Sequence, residues 1–271
     1  MCTLTFAWRV FRDAPVLLGA NRDEAVDRPA EPPAVRGETT RYVAPRDAKA
    51  GGTWIGLNEC GLVVAITNRW LESTHSGDRS RGLLVADCLA STSAEAAVTA
   101  VRHDLERRSY DGFNLLLADS TAAFVLEYDR ELTVRRLDPG VHVIGNVGGV
   151  INGSSRFSIP TRRQSVGAER ADSARRIATT LVPDSSESGT AWLDRASEVL
   201  ADHEYDACLH GDGFGTVSCT RIQTGTTAAK ATMAYADGPP CEATMKPVDV
   251  PEEFGRDADE TEREDDTESQ F

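Results

Sequence analysis

The residues best suited to chemistry in this sequence lie near its start. Cys2 opens an alternating stretch, and Asn21-Arg22-Asp23-Glu24 abruptly ends the apolar run Val16 to Ala20. Removal of Met1, expected ahead of a small residue, would leave Cys2 with a free α-amino group. Such an amine has an ordinary pKa of about 8, near enough to neutrality to accept a proton. A thiol and an amine on one α-carbon supply nucleophile and base without a separate histidine. The pair needs a carboxylate to orient the amine and a cation to favour the thiolate, and Asp23 and Arg22 are of those types. Taken alone, Cys2 reads more readily as a small residue at the start of an edge strand.

A hairpin must bring these groups together. Leu4, Phe6 and Trp8 alternate along the first strand, Pro15 to Ala20 forms a second apolar run, and Phe11-Arg12-Asp13-Ala14 joins them. In an antiparallel pair, partner numbers share a constant sum; a turn centred on Arg12, Asp13 or Ala14 predicts roughly 25 to 28. Cys2 then falls opposite Asp23 to Val26, or close beside them. A second hairpin is expected from GTWIGL and GLVVAIT around Asn58-Glu59-Cys60-Gly61. Residues 81 to 107 predict two helices broken near Ser91 and Ser93, with Ser93 as N-cap. Strands follow in FNLLLAD, AAFVLEY, LTVRRL and VHVIGN, then helices over 161–181 and 190–202. The hairpin FGTVSCTRI and TAAKATMAY closes the folded part. This order departs from the β-α alternation of a parallel doubly wound sheet. It suits layered antiparallel sheets with helices on the outside.

Composition narrows the function. The 271 residues carry a formal net charge of −14, with 40% hydrophobic residues and only Lys49, Lys230 and Lys246 as lysines. Acidic excess with scarce lysine suits a protein adapted to high salt, where self-repulsion is screened. It argues against a nucleic-acid partner, which needs a basic stripe. No run of about 20 apolar residues is present to span a membrane. The beginning of the sequence lacks the features of a secretory signal, so a cytoplasmic location is expected. Cys2, Cys60, Cys88, Cys208, Cys219 and Cys241 include no C-x-x-C pair, so neither a disulfide framework nor a metal site is expected, and no cofactor is implied. Residues 1–247 are read as one domain and 248–271 as an acidic, disordered tail. The oligomeric state is not legible.

MCTLTF, ANRDE followed by RP, GGTWIGLNECG, AITN, SRG, GFNLLLAD and GTVSCT occur in this order. In combination they resemble the NRDE family, also called the transport and Golgi organisation 2 family. The resemblance runs from residue 2 to about residue 235. It implies an α+β fold, the four-layer α-β-β-α sandwich of the N-terminal nucleophile hydrolases. A fainter similarity links MCT, GLNECGLVVAITN and GTVSCT to the choloylglycine hydrolases. That similarity implies Cys2 as nucleophile, Asp23 as holder of its amine and Asn68 as oxyanion donor. Asn146 is the best match for a second asparagine of that site, with Asn152 nearby. Those hydrolases carry an arginine where this chain has Ala20. Arg22, two residues on, would point to the same side of a strand.

The implied activity is hydrolysis of a linear amide or thioester. The alternatives are a ligand-binding or carrier protein for haem, acyl-coenzyme A or lipid on the same fold, or a scaffold. Asn21, Glu24, Trp54 and Arg81 are the candidate ligand contacts. Trp54 also suits the core. Arg79 and Arg81 flank a helix start that could hold an anion. The glycine-rich IGNVGGVING lacks both a following helix and a G-K-S/T, so it does not read as a phosphate loop. His203 and His210, seven residues apart in an acidic stretch, read as a solvated face.

Overall fold

In a computed structural model of the chain, residues 2–73, 76–225 and 231–254 are described. The strands β1 (Cys2–Trp8) and β2 (Val16–Ala25) form the expected hairpin. Cys2 pairs with Arg22 and Trp8 with Val16, a constant sum of 24. That lies one below the expected range and sets Arg22, not Asp23, opposite Cys2, because the pairing is symmetric about Arg12, the first of the expected turn centres.

The strands β3 (Ala30–Arg36) and β4 (Tyr42–Asp47) come next, followed by the hairpin of β5 (Ile55–Asn58) and β6 (Val63–Asn68). The helices α1 (Arg81–Leu89) and α2 (Ala94–Leu105) break where the serines predict, and the Ser93 hydroxyl accepts the Ala96 N–H. The four strands expected next are β7 (Phe113–Ala118), β8 (Ala123–Tyr128), β9 (Leu132–Arg136) and β10 (Gly140–Gly145). The hairpin of β11 (Gly148–Ile151) and β12 (Ser154–Phe157) precedes α3 (Gln164–Thr180) and α4 (Gly189–Ala201). The strands β13 (Phe214–Gln223), β14 (Thr232–Asp237) and β15 (Lys246–Val248) complete the described fold. Part of the predicted last strand, residues 227–230, lies outside the described residues.

Two antiparallel sheets result, one ordered β12-β11-β10-β1-β2-β13-β14-β15 and the other β3 through β9 in sequence. Side-chain alternation along the strands explains why they stack. Leu4, Phe6 and Trp8 of β1 and Leu18 of β2 enter the core between the sheets. Ala7 and Leu17, on the opposite face, pack with Trp192 and Leu200 of α4. In the other sheet, Val63 and Ala65 face inward, while Val64 and Ile66 meet α1 and α2. The layers are therefore α-β-β-α. With both faces covered, central strands read as continuous apolar runs. Trp8 ties the layers together by donating its indole N–H to the Asp119 carbonyl across the core, 2.8 Å away.

Five strands, β3, β4, β11, β12 and β15, escaped the sequence reading, and three of them for physical reasons. β3 carries Pro32 and Pro33 and pairs through a register shift between Glu31 and Ala34, which only an edge strand allows. In β11, a Cβ on Gly149 would fall 2.0 Å from the Val143 carbonyl, so the glycine-rich stretch serves close strand approach. The β11–β12 turn takes Asn152 and Gly153 at positive φ, 50° and 67°, as a tight Asn-Gly hairpin does. The packed chain also passes the expected boundary at residue 247: Val250 and Phe254 are buried in the inter-sheet core.

Phe254 is 1% exposed, so its replacement in Phe254→Ala should cost about 3–5 kcal/mol of unfolding free energy. Urea denaturation of both proteins measures this, and a loss under about 1 kcal/mol would remove the segment after β15 from the core.

Candidate active site

The amino end of β1 and the far end of β2 meet the β6 terminus and the start of α1 around a cleft of about 130 Å³. Cys2, Arg22, Asp23 and Glu24 line one wall, with Trp54, Asn68 and Arg81 on the other. The Asn-Arg-Asp-Glu run is thus the exposed-looking end of a buried strand, divided between two faces by strand alternation. Arg22 and Glu24 lie on the face of Cys2. Asn21 does not reach the cleft: it points to the helix side, donating through Nδ2 to the Leu200 and Ala207 carbonyls at 2.8 and 2.9 Å.

Arg22, on the same face as Ala20, is 5% exposed. Its guanidinium stacks on Trp54, 4.0 Å from the ring centroid, and meets Asp47 at 3.4 Å. Asp47 and Arg28 were missed in the sequence. Arg28 donates to Asp47 at 2.7 Å, while the other Asp47 oxygen accepts the Lys49 and Ala50 N–H groups. Burial works to raise the Asp47 pKa, but the Arg28 hydrogen bond, the Ala50 amide and both arginine charges hold it below its ordinary value. The stretch Asp47-Ala-Lys-Ala-Gly-Gly is an Asx-type turn signal, and that was the available clue. Trp54 serves both core and cleft, packing on the inter-sheet core and walling the cavity.

Burial, the largest influence, pushes the Cys2 thiol above its ordinary pKa. The chain's amino end, an Asp23 backbone N–H and the Arg22 charge act the other way. The Cys2 backbone nitrogen donates to Asn146 Oδ1 at 3.3 Å, and Asn146 Nδ2 donates to the Asn68 carbonyl at 2.6 Å. Asn146 therefore bridges the two sheets at the β10–β11 turn. Asn152 sits away from the cleft, accepting the Asp138 N–H and donating to the Arg136 carbonyl. The Asn68 side chain lines the cleft and makes no hydrogen bond among the described residues.

Asp23 is 4% exposed and accepts the Thr216 hydroxyl at 2.6 Å. Burial pushes its carboxyl up to about 6, opposed by the chain's amino end, the Thr216 hydrogen bond and Arg170. Arg81 opens α1 beside the cleft and donates to the Gly112 carbonyl at 2.8 Å. Arg79 turns away to Asp87 at 2.6 Å, so the two arginines do not form a joint anion site. Sequence spacing also hid one grouping elsewhere: Cys208 and Cys241 come together beside His203 and His210.

This fold is shared with enzymes whose structures are solved. A Caenorhabditis elegans N-acylethanolamine-hydrolyzing acid amidase ortholog superposes with a TM-score of 0.52 at 15% identity, covering 82% of this chain and 92% of that one. A variant of the conjugated bile acid hydrolase from Clostridium perfringens gives a TM-score of 0.50 at 12% identity, covering 92% and 97%. The fold is that of the N-terminal nucleophile hydrolases. Within it, the chain belongs to the Transport and Golgi organisation 2 family, whose model matches residues 1–205. It is 34% identical over 110 residues to the Transport and Golgi organization protein 2 homolog of Bos taurus, and 32% identical over 111 residues to that of Homo sapiens. Each match covers 40% of this chain and 40% of the relative. No helix among the described residues is long and apolar enough to cross a membrane.

Asp47→Ala would leave Arg22 and Arg28 without their shared carboxylate. Its unfolding free energy should fall by about 3 kcal/mol, as when one partner of a buried ion pair is removed. A loss below about 1 kcal/mol in urea titration would mean that stacking on Trp54 and the Glu24 carboxylate 4.0 Å away suffice to hold Arg22.

Proposed function

We propose that this chain is an N-terminal-cysteine hydrolase acting on a linear amide or thioester, in a form that begins at Cys2. The observation that carries the reading is the setting of the Cys2 nitrogen. It is held by Asn146 in a cleft that also contains Asp23, Arg22 and the uncommitted Asn68 side chain. Freed by removal of Met1, that nitrogen becomes an amine attached to the same α-carbon as the thiol.

In the proposed reaction the amine accepts the thiol proton and the sulfur attacks the substrate carbonyl. Asn68 Nδ2 donates to the oxyanion, a type of contact worth about 10²–10³ in rate. Collapse of the tetrahedral intermediate breaks the amide or thioester bond, and the ammonium gives its proton to the leaving group. Water, deprotonated by the same amine, then attacks the acyl-enzyme and releases the acid with the free thiol. Asp23 holds the ammonium in place, and Arg22 stabilises the thiolate. The amidase and hydrolase activities named for the two structural neighbours are of this reaction class. A cavity of about 130 Å³ suits a scissile bond and its immediate substituents. It is smaller than the roughly 300–1,000 Å³ usual for a whole ligand, which counts against a haem or acyl-coenzyme A carrier.

The test is intact mass followed by a panel of linear N-acyl amides and acyl thioesters. A chain beginning at Cys2, turnover of at least one compound, and an acyl adduct on Cys2 are expected. Cys2→Ala should abolish turnover. Retention of Met1, acetylation of Cys2, or turnover that survives in Cys2→Ala would overturn the reading.

The pH dependence follows from Asp23. A carboxyl raised to about 6 is neutral below that pH and ionised above it. Only the carboxylate can hold the ammonium, so kcat/KM should fall as pH drops through about 6. Asp23→Asn should lose most of the rate and that acidic limb with it. An unchanged limb in Asp23→Asn would assign the titration to another group.

A further inference from the structure

We propose that His203, Cys208, His210 and Cys241 form a zinc site on the helix side of the eight-stranded sheet. They come from three separate places. His203 lies in the 3-10 turn His203–Tyr205 after α4, Cys208 and His210 lie on the loop leading to β13, and Cys241 follows β14. Their ligand atoms all lie within 4.8 Å of one another.

The separations fit one tetrahedral ion. Zinc–sulfur bonds near 2.3 Å and zinc–nitrogen bonds near 2.0–2.1 Å give tetrahedral edges of roughly 3.3–3.8 Å. Cys208 Sγ is 3.4 Å from Cys241 Sγ, His210 Nε2 is 3.1 Å from Cys241 Sγ, and Cys208 Sγ is 3.8 Å from His210 Nε2. His203 closes the group, its ring stacked on that of His210 with centroids 5.1 Å apart. Two thiolates and two imidazoles neutralise a divalent ion and match the Cys2His2 donor set of structural zinc sites. On binding, the two thiols release their protons to solvent and the imidazoles enter neutral. Glu242 lies 3.9 Å from His210 Nδ1, on the far side of the ring from the sulfurs, where a carboxylate orients a ligating histidine.

This site is coupled to the cleft. The Cys208–His210 loop is fastened just before its start and at its middle: the Ala207 carbonyl accepts from Asn21, and Leu209 exchanges hydrogen bonds with Thr216. Thr216 in turn donates to Asp23. An ion at the four ligands therefore fixes the loop that holds Thr216 against Asp23. The zinc site stands on its own geometry and does not require the hydrolase reading.

The experiment uses the full chain purified with reductant, dialysed against zinc chloride, then freed of excess metal. One equivalent of zinc by elemental analysis is expected. Cobalt(II) in place of zinc should give tetrahedral d–d bands and a thiolate-to-cobalt charge-transfer band, a readout independent of any variant. In His203→Ala, His210→Ala and Cys208→Ser/Cys241→Ser, affinity should drop by more than about 100-fold, beyond the range for outer partners alone. Cys60→Ser, at an exposed thiol elsewhere, should bind as the native protein does. Substoichiometric zinc, cobalt spectra without thiolate bands, or unaltered affinity in the ligand variants would overturn the proposal. So would a Cys208–Cys241 disulfide that forms in air and is not prevented by zinc.

Discussion

The register of β1 on β2 is the constraint from which the site follows. In a strand with both faces buried, a slip of one residue exchanges every side chain between faces. With Cys2 opposite Arg22, the arginine enters the inter-sheet side with the thiol, while Asn21 is left to hold the Leu200 and Ala207 carbonyls. A slip by one would drive Asp23 into the space over Trp54 and put Arg22 under α4. The apolar residues enforce the register: Leu4, Phe6, Trp8 and Leu18 all need the core between the sheets. The placement of a few polar groups is thus decided by greasy residues several positions away.

Burying Arg22 requires that its charge be met, and the second half of the cleft does this. Asp47, the last residue of β4, is held by two backbone amides and shares its remaining oxygen between Arg22 and Arg28. The indole of Trp54 covers the flat face of the guanidinium. Neither group belongs to the hairpin that supplies Cys2; both come from the opposite sheet. The Arg22 contacts therefore join the sheets at the cleft, as Asn146 does through Cys2 and Asn68. This electrostatic joint takes over where the apolar core ends.

Much of this was legible in the residue pattern, and the failures have physical causes. Period-two alternation, the Ser93 cap and the order of elements were enough for the layered sandwich. The glycine-rich β11 looked like a loop because sequence alone does not show which backbone will press against Gly149. Pro32 and Pro33 disguised an edge strand. The tail boundary was set by acidic composition, yet Phe254 is carried into the core by the short stretch beyond β15. Asn146, Asn68 and Trp54 were recognisable only through motif resemblance, since strand pairing between distant segments brings them together. Cys208, His210 and Cys241 escaped because the sequence separation that spoke against a metal set is closed by the β13–β14 hairpin.

The central position of β1 has a consequence for synthesis. The strand made first is flanked by β2 on one side and β10 on the other, and β2 is covered in turn by β13. At roughly 5–20 residues per second, the ribosome needs about 10–40 s after Cys2 to complete β13. Throughout that interval the beginning of the chain has no finished sheet to enter. Until then Cys2 is more open than in the finished fold, where it is half-buried. The strand made first is thus the one that waits longest for its neighbours, with translation itself acting as the clock.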